Sequence, residues 1–231
     1  KYEFERSVAT QQTGFWLLGQ ARGWLPDVIG GIIWFGVDDT ATSSLTPVYS
    51  SGVETPLCFR VGNGSMVRYS DSSAFWLFNR IAQFAYSRYK DIQPEVRAVI
   101  DEHENGALKI IPEVDANALR ILNESKDEQK VKGYLTEWSN MFADRMFRRF
   151  KKLDEYLLVK YIDGNIKKQN PDGSFKNERV LGRYKGEELV GMKYEQLMPW
   201  VKPSAKLDQN AADYVRQYAE EHPEKGFVGE N

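Results

Sequence analysis

Cysteine and histidine are nearly absent from this 231-residue chain: there is one Cys and two His. A single cysteine excludes an internal disulfide. Cys58, His103 and His222 lie far apart and lack the paired spacing of a zinc site. No apolar run approaches the roughly 18 residues that a membrane-spanning helix needs. Excess charge is lacking too, because 31 basic and 33 acidic residues leave a net charge of −2. Binding nucleic acid by neutralising phosphate calls for a basic surplus. The densest basic stretch here is Arg145-Met146-Phe147-Arg148-Arg149-Phe150-Lys151-Lys152. Internal repeats and low-complexity tracts are missing as well. Nucleic acid, membrane, metal and cofactor are therefore not expected. The chain begins Lys1-Tyr2-Glu3-Phe4 without a Met or a leader pattern, so the expectation is a fragment. Cytoplasmic and periplasmic locations both stay open, as does homo-oligomerisation.

What is abundant is aromatic surface. Six Trp, twelve Tyr and twelve Phe supply either a thick core or a cleft for an apolar ligand. Residues 13–22 alternate in strand fashion, with Phe15, Leu17, Gly19 and Ala21 on one face and Trp16, Leu18, Gln20 and Arg22 on the other. Pro26 and Gly30-Gly31 mark a turn. Residues 32–37 (Ile-Ile-Trp-Phe-Gly-Val) form a continuous apolar run, the pattern of a strand covered on both faces. The two runs predict an antiparallel pair in a buried sheet. Residues 42–51 read as a loop held by Pro47, and residues 61–70 as a glycine-containing loop without the Lys-Ser/Thr of a phosphate site.

Asp71-Ser72-Ser73 predicts the cap of a helix over 74–89, packed on the sheet. Pro94 and Pro112 predict two new helix starts, running to His103 and Ser125. Residues 126–161 carry a long helical period of roughly 50 Å if Gly133 does not break it. Asn170-Pro171-Asp172-Gly173 predicts the turn of a hairpin within 164–182, and residues 210–222 a surface helix. The organisation expected is a sheet-and-helix part over 1–125 and a long helix, hairpin and extension over 126–231.

Cys58 reads as a small buried hydrophobe, since no motif gives it a base. The acidic run around His103 reads as a solvated helix end. Arg22, Asp38 and Asp39 stand out as charges at the ends of apolar strands, where a sheet faces a cleft. Arg22 can clamp a carboxylate with its fork or close the sheet edge as an ion pair with an aspartate. If the strands are antiparallel, Arg22 and the aspartates fall at opposite ends.

Four segments carry a further message: Thr13-Gly14-Phe15-Trp16 with Gln20-Ala21-Arg22, Ile29 through Asp39, Thr46-Pro47-Val48-Tyr49, and Asp71 through Asn79. Together they resemble the second half of the bacterial broad-specificity cysteine dipeptidases, the family around dipeptidase A. The resemblance implies an α+β fold, part of an N-terminal-nucleophile-type αββα sandwich of antiparallel sheets between helices, with a helical C-terminal extension. It implies a dipeptide substrate and a nucleophilic cysteine that becomes the first residue after processing. The α-amine of that cysteine serves as base, so no histidine is required. It further implies that the nucleophile lies in a missing N-terminal part and that no residue of this chain is catalytic. Substrate binding would fall to Arg22, Asp38 and Asp39. The alternative is a binding or structural domain that keeps the fold without the chemistry.

Overall fold

The computed structural model describes residues 9–176. The chain divides into two compact units, Lys1–Lys167 and Lys168–Asn231. The first unit is α+β. In chain order it contains β1 (Phe15–Ala21), α1 (Asp27–Gly30), β2 (Gly31–Val37), β3 (Thr46–Tyr49), α2 (Ala74–Ser87), α3 (Tyr89–Ser125) and α4 (Glu128–Tyr161).

The strands form an antiparallel sheet in the order β1-β2-β3. The alternation over 13–22 and the apolar run over 32–37 pair as expected, with Phe15 opposite Val37 and Ala21 opposite Gly31. β3 is a correction to the loop expected at 42–51. Its Pro47 lies opposite Trp34, on an edge strand, where a missing N–H interrupts no further ladder.

Helices cover one face of this sheet. Ile32, Trp34 and Tyr49 pack with Val131, Leu135, Trp138 and Phe142 of α4 and with Ile111 and Val114 of α3. The opposite face is open: Phe15 is 64% exposed, Leu17 56% and Ile33 41%. A sheet buried on both faces was expected, and only β2 approaches it. Among the described residues, three strands on one helical layer leave the second face without a cover.

α2 also departs from expectation. It buries Leu77, Phe78, Ile81 and Ala85 chiefly against Ile92, Val96, Phe150 and Leu157 of α3 and α4, and meets the sheet at Val37 and Phe35 of β2. Ser73 stands at its N-cap without a side-chain capping bond.

α3 is one helix of 37 residues with both Pro94 and Pro112 inside it, where two helix starts were expected. An internal proline removes the hydrogen bond to the carbonyl four residues back, here those of Lys90 and Leu108. Both residues are exposed, so water can serve the freed carbonyls. The buried stripe Ile92, Val96, Val99, Ile100, Ala107, Ile111, Val114 and Ala118 holds the helix against the cost. Lys126 then turns the chain in the left-handed conformation (φ 54°). Asp127 caps α4 by accepting from the N–H of Gln129 at 2.9 Å. Gly133 leaves α4 unbroken over its 34 residues.

In the second unit, Gln169 bridges Phe175 across the expected Asn-Pro-Asp-Gly turn, with Gly173 at φ 86°. The surface helix expected over 210–222 lies outside the described residues.

Candidate functional site

The β1–β2 register decides which charged residues can meet. Arg22 follows β1 at the end where Ala21 faces Gly31, whereas Asp38 and Asp39 follow β2 at the end where Val37 faces Phe15. Seven residues at about 3.3 Å each separate the two ends by ~23 Å. They form two distinct polar clusters.

Arg22 is buried, and each of its nitrogens is engaged. Nε donates to the Gly30 carbonyl at 3.2 Å and Nη2 to the Ile29 carbonyl at 2.8 Å. Nη1 forms an ion pair with Asp115 of α3. The hydroxyl of Tyr49 donates to the other Asp115 oxygen at 2.6 Å, and the guanidinium stands 5.6 Å from the Tyr49 ring centroid. Burial, together with the Asp115 carboxylate it bonds, holds the Tyr49 phenol well above its ordinary range. An ion pair at Arg22 is thus present, but its partner is Asp115 and not Asp38 or Asp39. Sequence gave one clue to Asp115: it stands four residues after Ile111 and so falls on the apolar stripe of α3.

The acidic end is built differently. Asp38 leaves β2 in the left-handed conformation (φ 66°), and its N–H donates to the Gly14 carbonyl at 3.1 Å. A non-glycine residue there is strained, though less so for an aspartate than for most. Asn79 of α2 donates to Asp38 Oδ1 at 3.1 Å. Asp38 Oδ2 is buried and meets no donor. Asp39 Oδ1 accepts from the Ala41 N–H at 3.0 Å, and its Oδ2 accepts from the Tyr86 hydroxyl at 2.5 Å. Asp38 is 1% exposed and Asp39 is fully buried. Among the described residues no Lys, Arg or His pairs with either carboxylate. Burial raises the Asp38 carboxyl above its ordinary range against the bonds from Asn79 and from the Asp39 backbone N–H, and the Asp39 charge adds to the rise. Burial and the bond to Asp39 push the Tyr86 phenol up to about 12.

Asn79 and Tyr86 are the partners that a reading by strand ends misses. They are seven residues apart, on one face of α2, and that shared face is the signal that sequence carried.

Among the described residues, the lone cysteine and His103 are both set in the core. Cys58 is buried in a short 3-10 turn, Leu57–Phe59, and burial pushes its thiol up to about 12. It is the small hydrophobe expected. His103 corrects the reading of a solvated helix end, because it is buried inside α3. Its ring lies 4.8 Å from the Phe142 centroid and shares a 3.3 Å hydrogen bond with the Thr46 hydroxyl. Among the described residues no three His, Cys, Asp or Glu side chains group to hold a metal. No helix there is long and apolar enough to cross a membrane.

The described site is thus an open antiparallel sheet with a helical layer behind it and a buried acidic pair at one strand end, in an α+β unit. Residues 1–102 match the model of peptidase family C69. The match relates the chain to a family of cysteine peptidases and bears out the resemblance to the dipeptidase A family. It contains Arg22, Tyr49, Asp38, Asp39, Asn79 and Tyr86, and it stops within α3 before Asp115. No curated protein matches the chain.

Proposed function

We propose that this chain is the C-terminal portion of a dipeptide-cleaving hydrolase. Its nucleophile is a cysteine at the processed start of a preceding segment, and its base is the α-amine of that cysteine. The carrying observation is the open sheet inside the family-matched span. Phe15 and Leu17 lie exposed on β1, a strand with no charge and no proline. β1 pairs only with β2 among the described residues. Apolar strands with a free edge are seldom left uncovered in a finished protein. In this reading the preceding segment supplies the second sheet of an αββα sandwich. The Asp38–Asp39 end then faces the substrate, while Arg22, spent on Asp115 and two carbonyls, holds the far end together.

The test compares this chain with the same chain joined to its preceding segment, using a free dipeptide. The joined protein is expected to hydrolyse it and the isolated chain is not. Cys58→Ala in the joined protein is expected to leave the rate within a few-fold, and Leu17→Glu to abolish it by preventing closure. A folded Cys58→Ala variant that loses activity a thousandfold would make Cys58 the nucleophile and overturn the reading. A joined protein that folds and never hydrolyses a peptide would favour a domain that binds without chemistry.

A further inference from the structure

Asn63-Gly64 and Asn105-Gly106 are both Asn-Gly pairs. Such a pair is prone to lose its side-chain amide, because glycine has no Cβ to keep its backbone nitrogen away from the Asn carbonyl carbon. The fold treats the two pairs differently. Asn105-Gly106 lies on the exposed side of α3, with the Gly106 N–H inside the helical ladder and the buried His103 and Ala107 on either side. Asn63-Gly64 lies in the loop between the 3-10 turn Leu57–Phe59 and α2. Gly64 is at φ 86°, and its N–H closes a tight three-residue turn onto the Gly62 carbonyl at 3.1 Å. What restrains this pair is the Asn63 side chain. Nδ2 donates to the Leu57 carbonyl at 2.9 Å and the Ser72 carbonyl at 3.1 Å, and Oδ1 accepts from the Ser70 hydroxyl at 2.6 Å and the Ser72 hydroxyl at 2.9 Å. Trp76 Nε1 fastens the same loop by donating to the Arg68 carbonyl at 3.1 Å. Val61, Met66 and Val67 stand exposed around this hub, so little apolar burial backs it. We propose that Asn63 is a spontaneous deamidation site whose conversion opens the 57–72 loop irreversibly.

The reaction needs water alone. When the loop opens, the Gly64 nitrogen gives up its proton to solvent and attacks Asn63 Cγ. The new N–Cγ bond closes a five-membered succinimide, the Cγ–Nδ2 bond breaks, and the amide leaves as ammonia. Water then opens the ring. Cleavage at Cγ yields aspartate, and cleavage at the main-chain carbonyl yields isoaspartate, whose backbone runs through the side chain. Neither product rebuilds the hub. A carboxylate has no donor, so the carbonyls of Leu57 and Ser72 lose their partner and face a negative charge. The segment released runs straight into α2, whose N-cap Ser73 makes no side-chain capping bond of its own. Opening an exposed loop costs less than opening a helix packed along a core. Asn63 is therefore converted first, while Asn105 waits on the opening of α3.

Peptide mapping of the unaltered chain, aged in mildly alkaline buffer, tests this without any variant having to fold. The amide-to-acid mass change and isoaspartate are expected at Asn63 at least tenfold faster than at Asn105. In concentrated urea, where neither hub nor helix survives, the two sites are expected to react at similar rates. Equal rates in the folded protein, or an Asn63 that reacts in urea and stays inert when folded, would overturn the site. The opening is read by trypsin, which cuts after Arg60 and Arg68 when the loop is loose. The aged fraction is expected to be cut there at least tenfold faster than fresh protein, and Asn63→Asp, which carries the product carboxylate from the start, is expected to show the same rise. Converted protein that trypsin cuts no faster than fresh protein would overturn the one-way opening.

Discussion

The Arg22 guanidinium spends its donors inside the protein: Nε on Gly30, Nη2 on Ile29 and Nη1 on Asp115. Removing the carboxylate would leave a buried cation, so Asp115→Ala is expected to cost about 3–5 kcal/mol in urea unfolding. Arg22→Lys cannot reproduce the fork and is expected to lower stability while the kinetics of the joined enzyme stay unchanged. A tenfold fall in kcat/KM with unaltered stability would return Arg22 to the substrate. His103 makes a second residue-scale prediction. Burial lowers its pKa from 6.5 to about 4, with Arg145 pushing the same way and Glu102 opposing. The unfolded chain therefore binds the extra proton first. Stability is complete above pH 6.5 and falls as pH drops toward 4, by about 3 kcal/mol at ~1.4 kcal/mol per pH unit. His103→Gln should flatten that slope in chemical denaturation at pH 7, 5.5 and 4.

At the scale of elements, Trp34 joins the sheet to the helices. Its ring is buried in the cluster with Ile111 and Leu135, and its Nε1 donates to Gln20 of β1 at 2.9 Å. Trp34→Ala is expected to cost about 3–5 kcal/mol. A cost below ~1 kcal/mol in equilibrium unfolding would mean that the helical layer does not hold this face. β1 and β2 were readable because alternation and an unbroken apolar run are local patterns. β3 was hidden because Pro47 reads as a breaker until its edge position is known. α3 was divided at Pro94 and Pro112 by a rule that holds for isolated helices. The exposure of Lys90 and Leu108, which makes both prolines tolerable, is a tertiary fact. Arg22, Asp38 and Asp39 were legible as unusual charges at strand ends, and the antiparallel register placed them apart. Asp115 was not legible as a partner, because 93 residues separate it from Arg22 and nothing local aligns α3 with the sheet.

On the scale of the whole molecule, the described core falls into two clusters that share only α3 and α4 as long members. One gathers α2 with Ile92, Val96, Phe150 and Leu157. The other gathers the sheet with Ile111, Val114, Leu135 and Trp138. His103 sits between them, with Phe142 of the sheet cluster at 4.8 Å and Phe150 of the α2 cluster at 6.4 Å. That seam is expected to give two cooperative units that open separately. Native-state hydrogen exchange should sort the α3 and α4 amides into two groups of different opening free energy, dividing near His103 and Phe142. Acid should widen the gap between them, since protonating His103 places a charge at the joint. One uniform opening energy along both helices at every pH would show a single indivisible core. The buried histidine and the two long helices that pass it then amount to a fault line, the place where acid is expected to part the core.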